Sequence, residues 1–233
     1  MPLTPETFAQ RAARMKADLA EQARRVQALI ETAFDAAFAR DPEAARRAIA
    51  MDEVIDKVDV DLERAAVQLL TDATREGAHL APEQLRLVLT IVKVNNELER
   101  IADAGVAVAE RVPALATQGT PLPETLRVVT NSVVGLLRDA SMSLERNDPA
   151  LAKIVLASED AVEEFKKAIL RDLTAQVAGR LMPVEYAFLL QELAALCEFM
   201  AAHCTNIAEQ ALYLATGKIV RHMGGHWEEV PQT

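Results

Sequence analysis

Apolar residues return every third or fourth position along most of the chain. Phe8, Ala12, Met15, Leu19, Ala23, Val26, Ile30 and Ala37 form the first such series, with Arg11, Lys16, Asp18 and Arg25 falling between them. That spacing is the period of an amphipathic helix, and no long segment shows the alternation of a half-buried strand. Thr4-Pro5 supplies a cap and a first-turn proline for the first predicted helix. Asp41-Pro42 ends it and starts the second, with Asp41 as N-cap and Pro42 at the first helical position. The second runs to about Gly77. Ala81-Pro82-Glu83 opens a third, which carries Leu85, Val88, Leu89 and Val92 and runs to about Val112. Gln118-Gly119-Thr120-Pro121-Leu122-Pro123 is a linker by composition.

The pattern then repeats. A fourth helix is predicted from about Glu124 to Arg146, and Asp148-Pro149 reproduces the Asp41-Pro42 junction. A fifth runs to about Val177 and stops at Gly179. Met182-Pro183 mirrors Ala81-Pro82, and a sixth runs to about Thr216-Gly217. VAVAERV at 106–112 has its counterpart in TNIAEQA at 205–211. Six long helices with short connections predict an all-α fold of two tandem antiparallel three-helix bundles, related by an internal pseudo-twofold repeat. The expected boundaries are residues 1–117 for the first repeat, 118–219 for the second, and 220–233 for a flexible tail. His222 and His226 share a helical spacing, but they lie in that Gly-containing tail.

Composition narrows the function. Of 233 residues, 51% are hydrophobic and 4% aromatic, a small-aliphatic core suited to closely packed helices. The net charge of −10 and the lack of a basic stripe argue against nucleic-acid binding and against docking on anionic lipid. The N-terminus has no signal-peptide apolar region, and no stretch approaches the ~18 uninterrupted apolar residues of a span. A cytoplasmic protein that reaches a membrane through partners is expected. Cys197 and Cys204 share one helix face but sit about 10 Å apart along the axis, too far for a disulfide, and read as buried reduced thiols.

Carboxylates one turn apart are the candidate chemistry. Asp52 and Asp56 lie on the second helix, Glu99 and Asp103 on the third, and Glu159 and Glu163 on the fifth. Glu198 lies on the sixth, with Ala202 one turn later. Such pairs repel each other on a shared face, and a cation between helices relieves the repulsion. The same spacing also suits a solvated acidic face. Antiparallel second and third helices bring Asp52, Asp56, Glu99 and Asp103 together. A carboxylate-bridged metal enzyme of bundle type is the alternative, but its Glu-x-x-His signature is missing, since Ala102 and Ala201 follow Glu99 and Glu198 at that spacing. There is no P-loop, dinucleotide fingerprint or nucleophile elbow. No catalytic constellation is visible.

ELERIADAGVAVAERV at 97–112 and CEFMAAHCTNIAEQALYLATGKIVRH at 197–222 resemble the two signature stretches of the PhoU family, in which a Glu-Arg-Ile-Gly-Asp-His run leads into Asn-Ile-Ala-Glu. The resemblance covers nearly the whole chain and is most specific over 203–217. It implies a six-helix protein that often forms a homodimer. It implies a divalent or trivalent metal ion at the carboxylate clusters. It also implies a non-enzymatic role, restraining the phosphate ABC transporter through its ATPase subunit and relaying its state to a phosphate-sensing histidine kinase. A helical adaptor for another transporter is the variant reading. Phe199 stands where the family has arginine, Ala202 where it has aspartate, Ala104 where it has histidine and Ala107 where it has asparagine. Loss of the carboxylate at 202 predicts an asymmetric protein whose first half is the better metal binder.

Overall fold

The computed structural model describes residues 4–223 and 226–230. The helices are α1 (Pro5–Ala39), α2 (Pro42–Arg75), α3 (Pro82–Ala116), α4 (Glu124–Arg146), α5 (Pro149–Ala157), α6 (Glu159–Ala178) and α7 (Val184–Thr216). Strands β1 (Ile219–Met223) and β2 (His226–Val230) follow. Helices α1, α2 and α3 pack mutually as one bundle, and α4, α5, α6 and α7 form the second. The bundles join where α3 lies on α7 and α1 on α4.

The repeat is exact in its hydrogen bonding at one junction. Arg40 and Asn147 both take the left-handed conformation, with φ of 54° and 51°. The next amide in each case reaches back to close the helix, Asp41 N to Ala36 O at 3.0 Å and Asp148 N to Ser143 O at 2.8 Å. Asp41 then caps α2 through the amides of Glu43 and Ala44, and Asp148 caps α5 through those of Ala150 and Leu151. The linker is pinned: the Arg40 guanidinium donates to the carbonyls of Gln118 and Thr120, and Tyr186 Oη to Pro121 O at 3.0 Å.

Three expectations are corrected. The single fifth helix is two, broken at Ser158. Ser158 Oγ donates to Ile154 O at 2.8 Å and its amide bonds Val155 O, a tightened turn with a side chain competing for the backbone carbonyl. The third helix passes Val112 and Pro113 and runs to Ala116. Pro113 removes one backbone donor close to a helix end, where little ladder remains to be lost. Within the tail expected to be flexible, the described residues form an antiparallel ladder, with Ile219 opposite Val230 and Met223 opposite His226; residues 224–225 and 231–233 lie outside the described residues. His222 and His226 therefore stand on facing strands. The sequence signal was present in Gly224-Gly225 between two runs with β-branched residues.

Helix α7 is the common core element. By length and apolarity it would serve as a membrane span, but it contacts α3, α4, α5 and α6. Cys197, Met200, Cys204, Ile207 and Ala208 on it are fully buried. A helix apolar on most sides is what such a surrounded position requires. Both cysteines are free, and burial pushes the Cys197 thiol up to about 12 and raises that of Cys204 as well. They are inert packing residues. In the first bundle, Gly105 lets α3 approach α1 closely: an added Cβ would collide with Leu29 and come within 2.9 Å of Ile30 Cγ2.

Candidate functional site

Two hydrogen bonds from one buried amide set the register of α2 against α3. Asn95 Nδ2 donates to Asp59 O at 3.0 Å and to Asp59 Oδ1 at 2.6 Å. Because the helices run antiparallel, the next turn sets Asp56 level with Glu99, and the turn after that sets Asp52 level with Asp103. From behind, Gln22 on α1 donates to Ile55 O at 2.7 Å and holds this part of α2 in place.

The electrostatics follow from that register. Burial first, then the charges of Asp56 and Asp103, push the Asp52 carboxyl up to about 6. Burial and the charges of Asp56, Asp103, Asp59 and Asp52 push Glu99 up to about 7. Asp56 and Asp103 are exposed, while Asp52 and Glu99 are half-buried. Asp52 Oδ1 and Glu99 Oε2 are buried without any hydrogen-bond donor. Four carboxylates with two orphaned oxygens form a donor set of the kind that hard cations take. Among the described residues, no three carboxylate, histidine or cysteine side chains converge closely enough to hold a metal ion as they stand.

The second half solves the same problem with lysine. Lys166 on α6 forms an ion pair with Glu198 on α7. Lys167 meets Glu163 at 2.8 Å and Glu164 at 2.9 Å. Glu159 is the first residue of α6. Ala202 contributes no carboxylate, and Phe199 packs edge-on against His203 with ring centres 4.3 Å apart.

A second polar assembly joins the two bundles. Glu97 on α3 accepts from His203 Nδ1 at 2.5 Å and from Asn206 Nδ2 at 2.9 Å, both on α7. Burial pushes the Glu97 carboxyl up, but these bonds and the charges of His203 and Arg100 outweigh it and hold the group below its ordinary range. Glu97 lies beside a cleft of roughly 580 Å³ between α2, α3 and α7, walled also by Asp59, Asn95, Asn206, Glu209 and Gln210. Glu209, nearly buried, pairs with Arg221 of β1. The run at 203–217 is legible in the sequence, but its partner Glu97 is hidden two residues before the more regular Glu99/Asp103 pair.

Comparisons with known proteins agree with this architecture. The PhoU domain profile matches residues 19–112 and 126–211, once in each bundle. The chain is 30% identical over 208 residues to a "Phosphate-specific transport system accessory protein PhoU homolog" of Aquifex aeolicus, covering 89% of this chain and 92% of that one. It is 25% identical over 206 residues to "Phosphate-specific transport system accessory protein PhoU homolog 1" of Thermotoga maritima, covering 88% and 87%. Its fold resembles the crystal structure of PhoU from Pseudomonas aeruginosa, with a TM-score of 0.84 at 23% identity, covering 90% of this chain and 99% of that one. With the profile matched in both bundles and a relative aligned along nearly its whole length, the chain belongs to the PhoU family.

Proposed function

We propose that this protein is a non-enzymatic regulator of phosphate uptake that acts from the cytoplasm by protein–protein contact. The observation that carries the reading is the family match in both halves together with relatives of nearly the same extent, named as accessory proteins of a phosphate-specific transport system. The proposed partners are the ATPase subunit of the phosphate ABC transporter and the cytoplasmic part of its sensor kinase. An acidic protein of net charge −10 steers toward basic partner surfaces in a salt-dependent way. Homodimerisation belongs to the same reading.

The proposal includes a metal ion in the first half. Asp52, Asp56, Glu99 and Asp103 would hold it, and an ion draws them together from the positions they occupy here. It would neutralise the charge that these four carboxylates impose on one another and give the orphaned oxygens of Asp52 and Glu99 a partner. The lysine pairing of Glu163 and Glu198 supports a weaker or absent counterpart in the second half.

Deleting the gene tests the regulatory reading. Phosphate-starvation genes are then expected to be expressed when phosphate is plentiful, and the purified protein to capture the transporter ATPase or the kinase at low salt. Unchanged uptake and gene expression, with no capture, would reject the phosphate role and favour an adaptor for a different transporter.

A further inference from the structure

We infer that the outer face of α7 from Val184 to Phe199, with the groove between it and α6, is a docking surface for one amphipathic helix of a partner protein, a helix whose acidic flank lies over α6. The inference rests on the protein-contact reading above and names its surface. Val184, Phe188, Ala195 and Phe199 follow one another at intervals of four, seven and four residues, so they share one face of α7. All four are exposed, Phe188 at 59%, Val184 at 48% and Phe199 at 42%. The groove beside them holds about 350 Å³ between apolar walls that include Leu170 and Val177 of α6, and Leu181 in the turn joining the two helices is 79% exposed. Water-exposed surfaces seldom gather this many large apolar side chains unless something covers them. The first half does not repeat the stripe. At the equivalent points of α3 stand Leu85, Leu89, Asn96 and Arg100, and Ala202 on α7 takes the place of Asp103. The face is apolar where the carboxylate chemistry of the first half has gone.

Length and charge specify the occupant. The stripe extends about 22 Å along α7, four turns at 1.5 Å per residue, and a helix laid along the groove brings anchors at matching intervals. Most charges around the groove are already taken. Lys166 pairs with Glu198, Lys167 with Glu163 and Glu164, Glu192 with Arg111, and Asp172 accepts from Gln176 Nε2. Arg171 and Arg180 on the α6 side and Glu185 on α7 are exposed and make no ion pair among the described residues. Arg171 comes one residue after Leu170, about 100° further round α6, which puts it on the solvent lip of the groove. The Lys166–Glu198 pair fixes the antiparallel register and sets Arg171 level with Leu193, near the middle of the stripe. A helix with carboxylates along that flank meets Arg171 and Arg180 with the complementary charge. A second copy of the chain does not, because antiparallel packing centred on the stripe sets Arg171 against its own counterpart.

Fluorescence anisotropy on the full chain tests this with two labelled helical peptides of about five turns. Both carry one leucine stripe. The first has Glu on one flank and Lys on the other, and the second has Lys on both. Salt of about 0.15 M screens the net charge of −10 beyond roughly 8 Å, so the groove's own charges decide. The first peptide is expected to bind one per chain below about 100 μM, and about fivefold tighter than the second. Arg171→Glu should reverse that order. Phe188→Ser with Phe199→Ser should weaken binding about tenfold. Val54→Ser with Val67→Ser, at exposed positions of α2, should leave it unchanged. Circular dichroism checks that each variant is folded, and Phe188→Ser alone carries the test if the pair is not. No binding at millimolar peptide overturns the inference, as does binding indifferent to Phe188→Ser or an order of peptides that Arg171→Glu leaves in place. A chain that sediments as a dimer and becomes monomeric with the Phe188→Ser change also overturns it, since a second copy then covers the face. The gene deletion reads the phosphate role separately.

Discussion

Glu198 and Glu99 occupy equivalent places in the two repeats, yet Lys166 reaches across from α6 to pair with Glu198 while an oxygen of Glu99 is buried without a donor. One carboxylate is satisfied from within the chain, and the other is not. If lysine replaces metal in the second half, removing lysine restores a vacancy for it. In a background of Asp56→Ala with Asp103→Ala, adding Lys166→Met and Lys167→Met should raise the metal content measured after loading. Metal content that stays flat would show that the lysines are not what keeps an ion out.

In the intact chain, Asp56→Ala with Asp103→Ala should lower bound metal more than Glu159→Ala with Glu163→Ala. Elemental analysis of protein loaded with the same metal excess measures the difference, and the reverse order would sink the asymmetry.

The folded-state carboxyls of Asp52 and Glu99 lie at about 6 and 7, above ordinary values of 3.8 and 4.5. Groups raised in this way bind more protons folded than unfolded, so their contribution falls as pH rises from about 4 to 7. Metal-free protein carrying Asp52→Asn and Glu99→Gln should therefore gain stability at pH 7 and little at pH 4. The gain is about 1 kcal/mol once solvent screening of these half-buried groups is allowed for, or roughly 2–4 °C in a chain of this size. Added metal should stabilise the unsubstituted protein most above pH 7 and fade below pH 6, as protons compete for the oxygens. Thermal melts across the range, with and without metal, check both slopes.

Glu97 has the opposite sign. Its carboxyl is held below the ordinary range, so its contribution is present above about pH 4.5 and fades as pH falls further. Glu97→Ala removes the acceptor that His203 and Asn206 share between bundles, and a loss of about 1–3 kcal/mol is expected at pH 7. Chemical denaturation at pH 7 measures it, and an unchanged midpoint would show that the interface does not rely on this carboxylate.

Gly105→Leu should destabilise by about 2–3 kcal/mol, because the added side chain enters a close-packed contact between α3 and α1 that Leu29 and Ile30 already fill. A denaturation midpoint equal to that of the unsubstituted chain would mean that α1 and α3 separate freely.

Helix spacing, the paired Asp-Pro junctions and the linker could be read directly from the sequence because local chemistry sets them: caps, fixed proline φ and the 3.6-residue period. The break at Ser158 was not, because serine within an apolar run gives no warning that its hydroxyl will take a backbone carbonyl. The carboxylate pairs on α2 and α3 stood out because each lies within one turn. Their cross-helix register depends on Asn95 reaching Asp59, and the cleft beside Glu97 depends on a contact between residues about a hundred positions apart. Contacts of that range leave no periodic trace.

The break at Ser158 also makes the two halves unequal as levers. Helix α2 is 34 residues without interruption, about 51 Å of rod at 1.5 Å per residue, so a push at one end arrives at the other. The corresponding stretch of the second half is jointed, nine residues and then twenty. Asp52, Asp56 and the Asp59 wall of the cleft therefore sit on one unbroken helix, whereas α5 and α6 meet at a joint.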